Sequence, residues 1–573
     1  MNRTQIHRRS RRRGRLFRRL LGLVLVALAA YWVIYQVLPN RLHIEPEWRS
    51  VDKPIFVHGE MTGYSASGTG DGLLLPLPFL QKYVDSSIRY EEGTKSVILT
   101  TANDLLYMQE NSTDASLNNK PMQLRLAPED QSGTTFLPAD TLESLYGFEV
   151  EEDTETGSVL LMTAGESVPL GKVKGNEGDR TRALRSEASI HAPILADMTP
   201  GTVVKIWNSD NEDWLYVQMN SGYAGYVKKD DILSAGQKTV EPLPVVPTRA
   251  ERSWKGKAVN LYWEAVYERN PNPQKFGAMP GVNVASPTWF RIVDNDGNVR
   301  SQADKSYVAW AHAKGMEVWG LLSNSFEPDL TTVALSTYER RMNTIVQMLA
   351  YADLYNLDGI NIDFENVYTK DKANVTQFMR ELKPMAQAKN LIISMDVTPK
   401  SNSEMWSLFL DRKALGEVVD FLIVMAYDEH WASSPVAGSV ASLPWAGSSV
   451  SRIIEEDGVP AEKLILGVPL YTRIWSETTE KGETKLSSKA VSMNAVQEII
   501  AEKKLKPVLD EAAGQHYVEY KEDGAAKKIW IEDKLSLEAR VKLAKSFQLG
   551  GIASWNRSFA NAEAWEALQG IHK

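Results

Sequence analysis

Leu357-Asp-Gly-Ile-Asn-Ile-Asp-Phe-Glu-Asn366 alternates polar and apolar residues over its middle: Asn361, Asp363 and Glu365 stand two apart with Ile360, Ile362 and Phe364 between and before them. Successive side chains of a strand point to opposite faces, so this run predicts a strand with a polar trio on one face and an apolar trio on the other. Two carboxyls are then presented together from one rigid element. Residues two apart on a strand have α-carbons roughly 6.5 Å apart, so their carboxyls can touch.

On either side, apolar runs of strand length alternate with amphipathic helical stretches: Ala258–Trp263, Val282–Ser286, Val318–Leu322, Gly359–Phe364, Leu391–Val397, Phe421–Met425, Leu464–Pro469 and Gly551–Trp555. Tyr338–Tyr355 and Val375–Ala388 place apolar residues at helical spacing between them. Strands in this number and order, with polar residues at several strand ends, favour a (β/α)8 TIM barrel with insertions over residues 255–573. A doubly wound sheet is the alternative.

The 573-residue chain is too long for one ordinary core, which predicts a multidomain protein. Ahead of the α/β barrel, residues 50–165 show short strands with polar turns and two short helices, near Phe79–Val84 and Asp140–Tyr146, an α+β pattern. The Leu75-Pro-Leu77 and Leu137-Pro-Ala139 segments resemble the copper amine oxidase N-terminal-like module, here without copper ligands. Residues 180–234 contain Gly201-Thr-Val-Val-Lys-Ile206, Trp214-Leu-Tyr-Val217 and Gly222-Tyr-Ala-Gly-Tyr-Val227, broken by turn residues. This small all-β segment resembles the bacterial SH3-like barrel. Trp214 and Tyr226 could grip a ligand there or serve core and turn packing. Residues 235–254, with Pro242, Pro244 and Pro247, read as a semi-extended linker.

The net charge of −9 conceals nine arginines within the first twenty residues. Residues 1–19 are therefore basic, and Leu20–Leu38 is apolar and about long enough to cross a bilayer. Arginines stay on the cytoplasmic side, so residues 20–38 are expected to be a signal anchor with all later domains outside the cell membrane, and Tyr31, Trp32 and Tyr35 suit the far interface. Cleavage at Ala27-Leu28-Ala29 would give a secreted form instead. No nucleic-acid partner is expected. The chain has no cysteine, which excludes disulfides and thiolate chemistry and fits a bacterial surface.

An isolated Asp-x-Glu pair says little, since a barrel-mouth carboxylate can simply hold an arginine or cap a helix. The longer run Asp358-Gly-Ile-Asn-Ile-Asp-Phe-Glu365 resembles the fourth-strand signature of glycoside hydrolase family 18. Met425-Ala-Tyr427-Asp428 resembles its sixth-strand motif and Gly550-Gly-Ile-Ala-Ser-Trp555 its eighth. Ser286-Pro-Thr-Trp289, Ser323-Asn324 and Pro469-Leu-Tyr471-Thr-Arg473-Ile-Trp475 are similar to the spore-cortex and cell-wall members of that family.

The resemblance implies that Glu365 is the general acid and base, that Asp363 orients a substrate 2-acetamido group, and that Tyr427 donates to its oxygen. Trp555 would floor the sugar site, with Asp428 and Met425 shaping it. Asp358 is expected to be structural. Asn361 replaces the family's usual aspartate, which leaves the pH profile open. Asn324, Tyr471, Arg473 and Trp289, with Trp475, are candidate substrate-binding residues, each of the aromatics equally able to be core.

Asp363 and Glu365 stand too close to flank opposite faces of a glycosidic bond. A substrate-assisted mechanism, which the resemblance implies, supplies the attacking group from the sugar itself. The expected function is an anchored glycosidase acting on N-acetylglucosamine-containing polysaccharide, peptidoglycan ahead of chitin, with no cofactor. A non-catalytic glycan-binding or scaffold protein is the second reading. A metal-dependent hydrolase is the third, and it is disfavoured because the eight histidines of the chain do not stand near the motif at ligand spacing.

Overall fold

The computed structural model describes residues 6–176, 178–244, 246–480 and 483–572. The first five residues of the basic segment, Val245 of the linker and Lys573 at the end of the barrel domain lie outside the described residues. The chain forms two compact units, one of residues 1–88, 108–114 and 123–244, the other of residues 89–107, 115–122 and 245–573.

In the first unit, helix Ile6–Val37 contains a segment, Phe17–Val37, that is long and apolar enough to cross a membrane. Its apolar side chains, among them Leu21, Leu25 and Trp32, are exposed. A four-stranded sheet has the order 149–152, 159–162, 54–57, 60–65. The helices Leu77–Tyr83 and Ala139–Tyr146 each follow a Pro-containing strand end.

A seven-stranded sheet includes Ser167–Val173 and runs on through Ile232–Thr239, which pair with each other. It is thus wider at both ends than residues 180–234. The segment expected to be an extended linker is correspondingly more structured. Its start lies in the strand Ile232–Thr239, and Arg249–Ser253 is a helix nucleated by a capping box between Thr248 and Glu251.

The second unit holds the barrel. Its strands are β1 Val259–Glu264, β2 Val284–Pro287, β3 Glu317–Ser323, β4 Gly359–Asp363, β5 Ile392–Val397, β6 Phe421–Met425, β7 Leu464–Pro469 and β8 Gly551–Trp555. Every neighbouring pair is parallel, and β8 bonds to both β7 and β1. The circuit closes, which excludes the doubly wound alternative.

Ile360, Ile362 and Phe364 point outward into the layer between strands and helices, where Phe364 meets Phe378 of helix Lys372–Ala388 at 5.3 Å. The interior is filled by Val259, Leu261, Trp263, Trp319, Leu321, Ile423 and neighbours. Asn361 and Asp363 share that inner face.

At the amino end of β4, Asp358 accepts from Val318 N (2.9 Å) and Arg249 Nη2 (3.0 Å) and pairs with His312 (2.7 Å). It is structural, far from the carboxyl ends of the strands where barrel sites form.

Two additions decorate the barrel. Between β7 and β8 a five-stranded antiparallel sheet, built from segments of residues 471–531, carries helix Met493–Glu502. Strands Arg89–Glu91 and Ser96–Thr100 also belong to this unit, although they lie within residues 50–165 of the chain. Glu91 accepts from Tyr338 N (3.0 Å) and Arg341 Nη2 (2.8 Å), while fully buried Arg341 also bonds to Glu381 at 2.7 and 2.9 Å.

Candidate active site

The carboxyl end of β4 delivers Asp363 and, just past the strand, Glu365 to the mouth of the barrel. Asp363 is 6 % exposed, and its Oδ1 is buried with no hydrogen-bond partner among the described residues. Burial pushes its carboxyl well above the usual range, helped by the charge of Asp396. Glu365 is raised by burial first and then by Asp363 and Asp428. Both therefore hold protons more tightly than free carboxyls do.

Glu365 is fixed through its backbone. Asn324, at the end of β3, accepts from Glu365 N at 3.1 Å and donates to Glu365 O at 2.8 Å. Its Nδ2 also donates to Thr331 Oγ1 (2.8 Å), and the residue is fully buried. Asn324 thus positions the Glu365 backbone and does not line the cleft, which corrects the sugar-contact expectation.

Asn361 is likewise out of a ligand's reach. Its Oδ1 accepts from Trp263 Nε1 and Ser286 Oγ, each at 3.0 Å, and its Nδ2 donates to Asp396 Oδ1 at 2.9 Å. The amide is fully buried beneath the site with its bonding capacity spent on protein partners, so it is not a substrate contact.

Beyond β6, half-buried Tyr427 has its hydroxyl raised far above the usual value by burial and by Asp396, Glu365 and Asp363. Its ring stands 6.3 Å from that of Trp263, which in turn is 6.0 Å from half-buried Trp555 at the end of β8. Met425, the last residue of β6, is buried. Asp428, with a left-handed φ of 60°, accepts from Tyr471 Oη (2.6 Å) and Arg473 Nη2 (2.8 Å). Arg473 keeps a buried Nε without a partner among the described residues.

The structure thus gathers Asp363, Glu365, Tyr427, Asp428, Met425, Tyr471, Arg473 and Trp555 at the strand ends. It leaves two aromatic candidates out. Trp289 is 1 % exposed, donates to Asn270 Oδ1 (2.6 Å) and packs on Tyr307. Fully buried Trp475 donates to Gly438 O (2.8 Å). Both are core residues, because an indole at a strand end that finds an internal acceptor can be buried outright.

Sequence reasoning missed Asp396 on β5, which is 2 % exposed. The available signal was a single acid in the run Leu391–Val397, since a charge within a buried strand is seldom without a purpose. Among the described residues no group of three or more His, Asp and Glu is arranged to hold a metal ion.

Residues 324–560 match the profile described as glycosyl hydrolases family 18, and residues 65–161 match the copper amine oxidase N-terminal domain. The chain is 26 % identical over 300 residues to the uncharacterized glycosylase YvbX of Bacillus subtilis, covering 50 % of this chain and 84 % of that one. It is 26 % identical over 288 residues to the cortical fragment-lytic enzyme of Bacillus anthracis, covering 48 % of this chain and 64 % of that enzyme, just under two thirds of its length. The solved spore cortex-lytic enzyme SleL of Bacillus megaterium shares the fold, with a TM-score of 0.50 at 21 % identity over 60 % of this chain and 78 % of that one. The C-terminal barrel of this chain belongs to glycosyl hydrolases family 18 and is a glycosidase domain.

Proposed function

We propose that this chain is a membrane-anchored, extracellular glycosidase that cleaves β-linked N-acetylglucosamine polymers, peptidoglycan ahead of chitin, by a retaining, substrate-assisted mechanism. The observation that carries this reading is the placement of Asp363 at the end of β4 and Glu365 two residues on, just past it, with no second carboxyl among the described residues free to attack from the opposite face. Asp396 is buried against Asn361, and Asp428 is held by Tyr471 and Arg473. Two-carboxylate hydrolysis needs acids on both sides of the scissile bond. The substrate's own 2-acetamido oxygen supplies the missing nucleophile.

In this reading Glu365, kept protonated by its surroundings, donates to the leaving oxygen and afterwards takes a proton from the incoming water. Asp363 holds the acetamido N–H, so that the oxygen attacks the anomeric carbon. The Tyr427 hydroxyl donates to that oxygen, and Trp555 floors the sugar. Four aromatics on the loops after β1, β3, β5 and β6, namely Tyr267, Phe326, Trp406 and Trp431, are exposed and suit an extended glycan.

Peptidoglycan is favoured because the N-terminal apolar helix and the β-rich modules, the second read as SH3-like, suit a cell envelope. The name of the cortical fragment-lytic relative points the same way. Glu365→Gln tests the reading. It should abolish glycan release while leaving the fold and glycan binding intact, and undiminished release would defeat it.

A further inference from the structure

Asn361 is where the fourth-strand motif carries an amide in place of a carboxyl, and in the folded barrel that amide has one possible orientation. Two donors, Trp263 Nε1 and Ser286 Oγ, converge on its Oδ1, so its Nδ2 must face Asp396, to which it donates at 2.9 Å. Asp396 arrives from the neighbouring strand, one residue beyond the Ile362–Met395 pairing just as Asp363 is, and its charge opposes the ionisation of Asp363. The barrel interior thus keeps a second acid beside Asp363, supplied by β5 instead of β4.

Two buried carboxyls in such proximity do not both ionise and titrate as a pair. Hydrogen bonding decides which one keeps the proton. Asp396 accepts from the Asn361 amide and is favoured as the anion by the Trp263 indole as well, whereas Asp363 has only Glu365 as a hydrogen-bonding neighbour and keeps a buried Oδ1 that accepts from nothing among the described residues, where a charge is costly. The other ionisable groups facing the pair are Glu365 on β4 and Tyr427 beyond β6, with Asp428 and Tyr471 further out, and the cation Arg473 is engaged by Asp428.

We propose that Asp396 is a positioning residue for Asp363: fixed by the Asn361 amide, it carries the negative charge of the buried pair and so leaves the proton on Asp363, available to a substrate oxygen. Its use in catalysis rests on the glycosidase reading. The proton itself can be observed without turnover.

Infrared difference spectra of the full chain, titrated with pH, provide the test. Beside the stretch of the protonated Glu365, the wild type should show a second protonated-carboxyl stretch at pH 7 that is missing in Asp363→Asn. In Asp396→Asn the midpoint for loss of this band should fall by about one pH unit or more. The swap Asn361→Asp/Asp396→Asn returns a charge to the other side of the same contact and should restore the midpoint to within about half a unit of the wild type.

A second band that titrates alike in wild type and Asp396→Asn overturns the proposal. Should Asp396→Asn fail to fold, the swap decides alone: the second band retained at pH 7 supports the proposal and its loss contradicts it. A wild-type chain with the expected titration but no glycan cleavage would remove the glycosidase reading and leave the Asp396 assignment standing.

Discussion

Asn324 clasps Glu365 at two backbone points, accepting from its N–H at 3.1 Å and donating to its carbonyl at 2.8 Å. Because β4 ends at Asp363, Glu365 lies outside the ladder and has no strand neighbour to hold it. Asn324→Ala should therefore lower kcat about a hundredfold through misplacement of the acid, with little change in KM. It should also cost about 1–3 kcal/mol of stability for the backbone groups left unpaired. Steady-state kinetics with a urea titration check both, and an unchanged kcat would show that the clasp does not set the acid's position.

The raised carboxyls of Asp363 and Glu365 make a statement about stability. For a group whose folded-state pKa is raised, the stabilising contribution is present in full below the unfolded value, about pH 4, and is lost as the pH rises through the folded value. The wild type should thus be strained at neutral pH by these groups. Asp363→Asn removes one of them, so its Tm should exceed that of the wild type at pH 7, and the difference should close on acidification towards pH 4. Calorimetry across that range tests the sign.

Arg341 is fully buried between Glu91 and Glu381, tying strand Arg89–Glu91 to two barrel helices. Arg341→Met leaves Glu381 without its cation in the interior, while Glu91 keeps Arg89, and should cost about 3–5 kcal/mol at pH 7, with partial recovery in acid as Glu381 protonates. Glu91→Gln leaves Arg341 paired with Glu381 and should cost clearly less. Chemical denaturation of the two variants side by side reads the difference.

Trp431 and Trp406 are exposed on the loops after β6 and β5, where a glycan extending from the site would pass. Trp431→Ala should raise KM for long glycan strands about fivefold, the effect of about 1 kcal/mol of stacking, and leave the shortest cleavable oligosaccharides nearly unaffected. Equal effects on both would place Trp431 outside the glycan path.

The eight barrel strands were legible because each is an apolar run bounded by polar residues, and the inward Asn361 and Asp363 of β4 because alternation assigns faces without any tertiary knowledge. Side-chain destinations were less legible. Trp289 and Trp475 have the residue type and strand-end location of a sugar platform, and only the internal acceptors at Asn270 and Gly438 reveal that they are core. Asn324 was recognisable as polar at a strand end, but its partner is the backbone of a residue just past the next strand. Asp396 was hidden because its significance depends on Asn361 across a strand pairing, β4 to β5, that no local pattern encodes. The helix Arg249–Ser253 was within reach, since Thr248 and Glu251 stand at capping-box spacing, but nearby prolines drew the reading towards a linker.

In the proposed mechanism the sugar's own acetamido group attacks in place of a protein nucleophile. The most direct measurement compares product release, by mass spectrometry, from purified peptidoglycan glycan strands before and after de-N-acetylation, with Glu365→Gln as the background. Saccharide products are expected from the acetylated strands and background levels from the de-N-acetylated ones. Equal cleavage of both would contradict it.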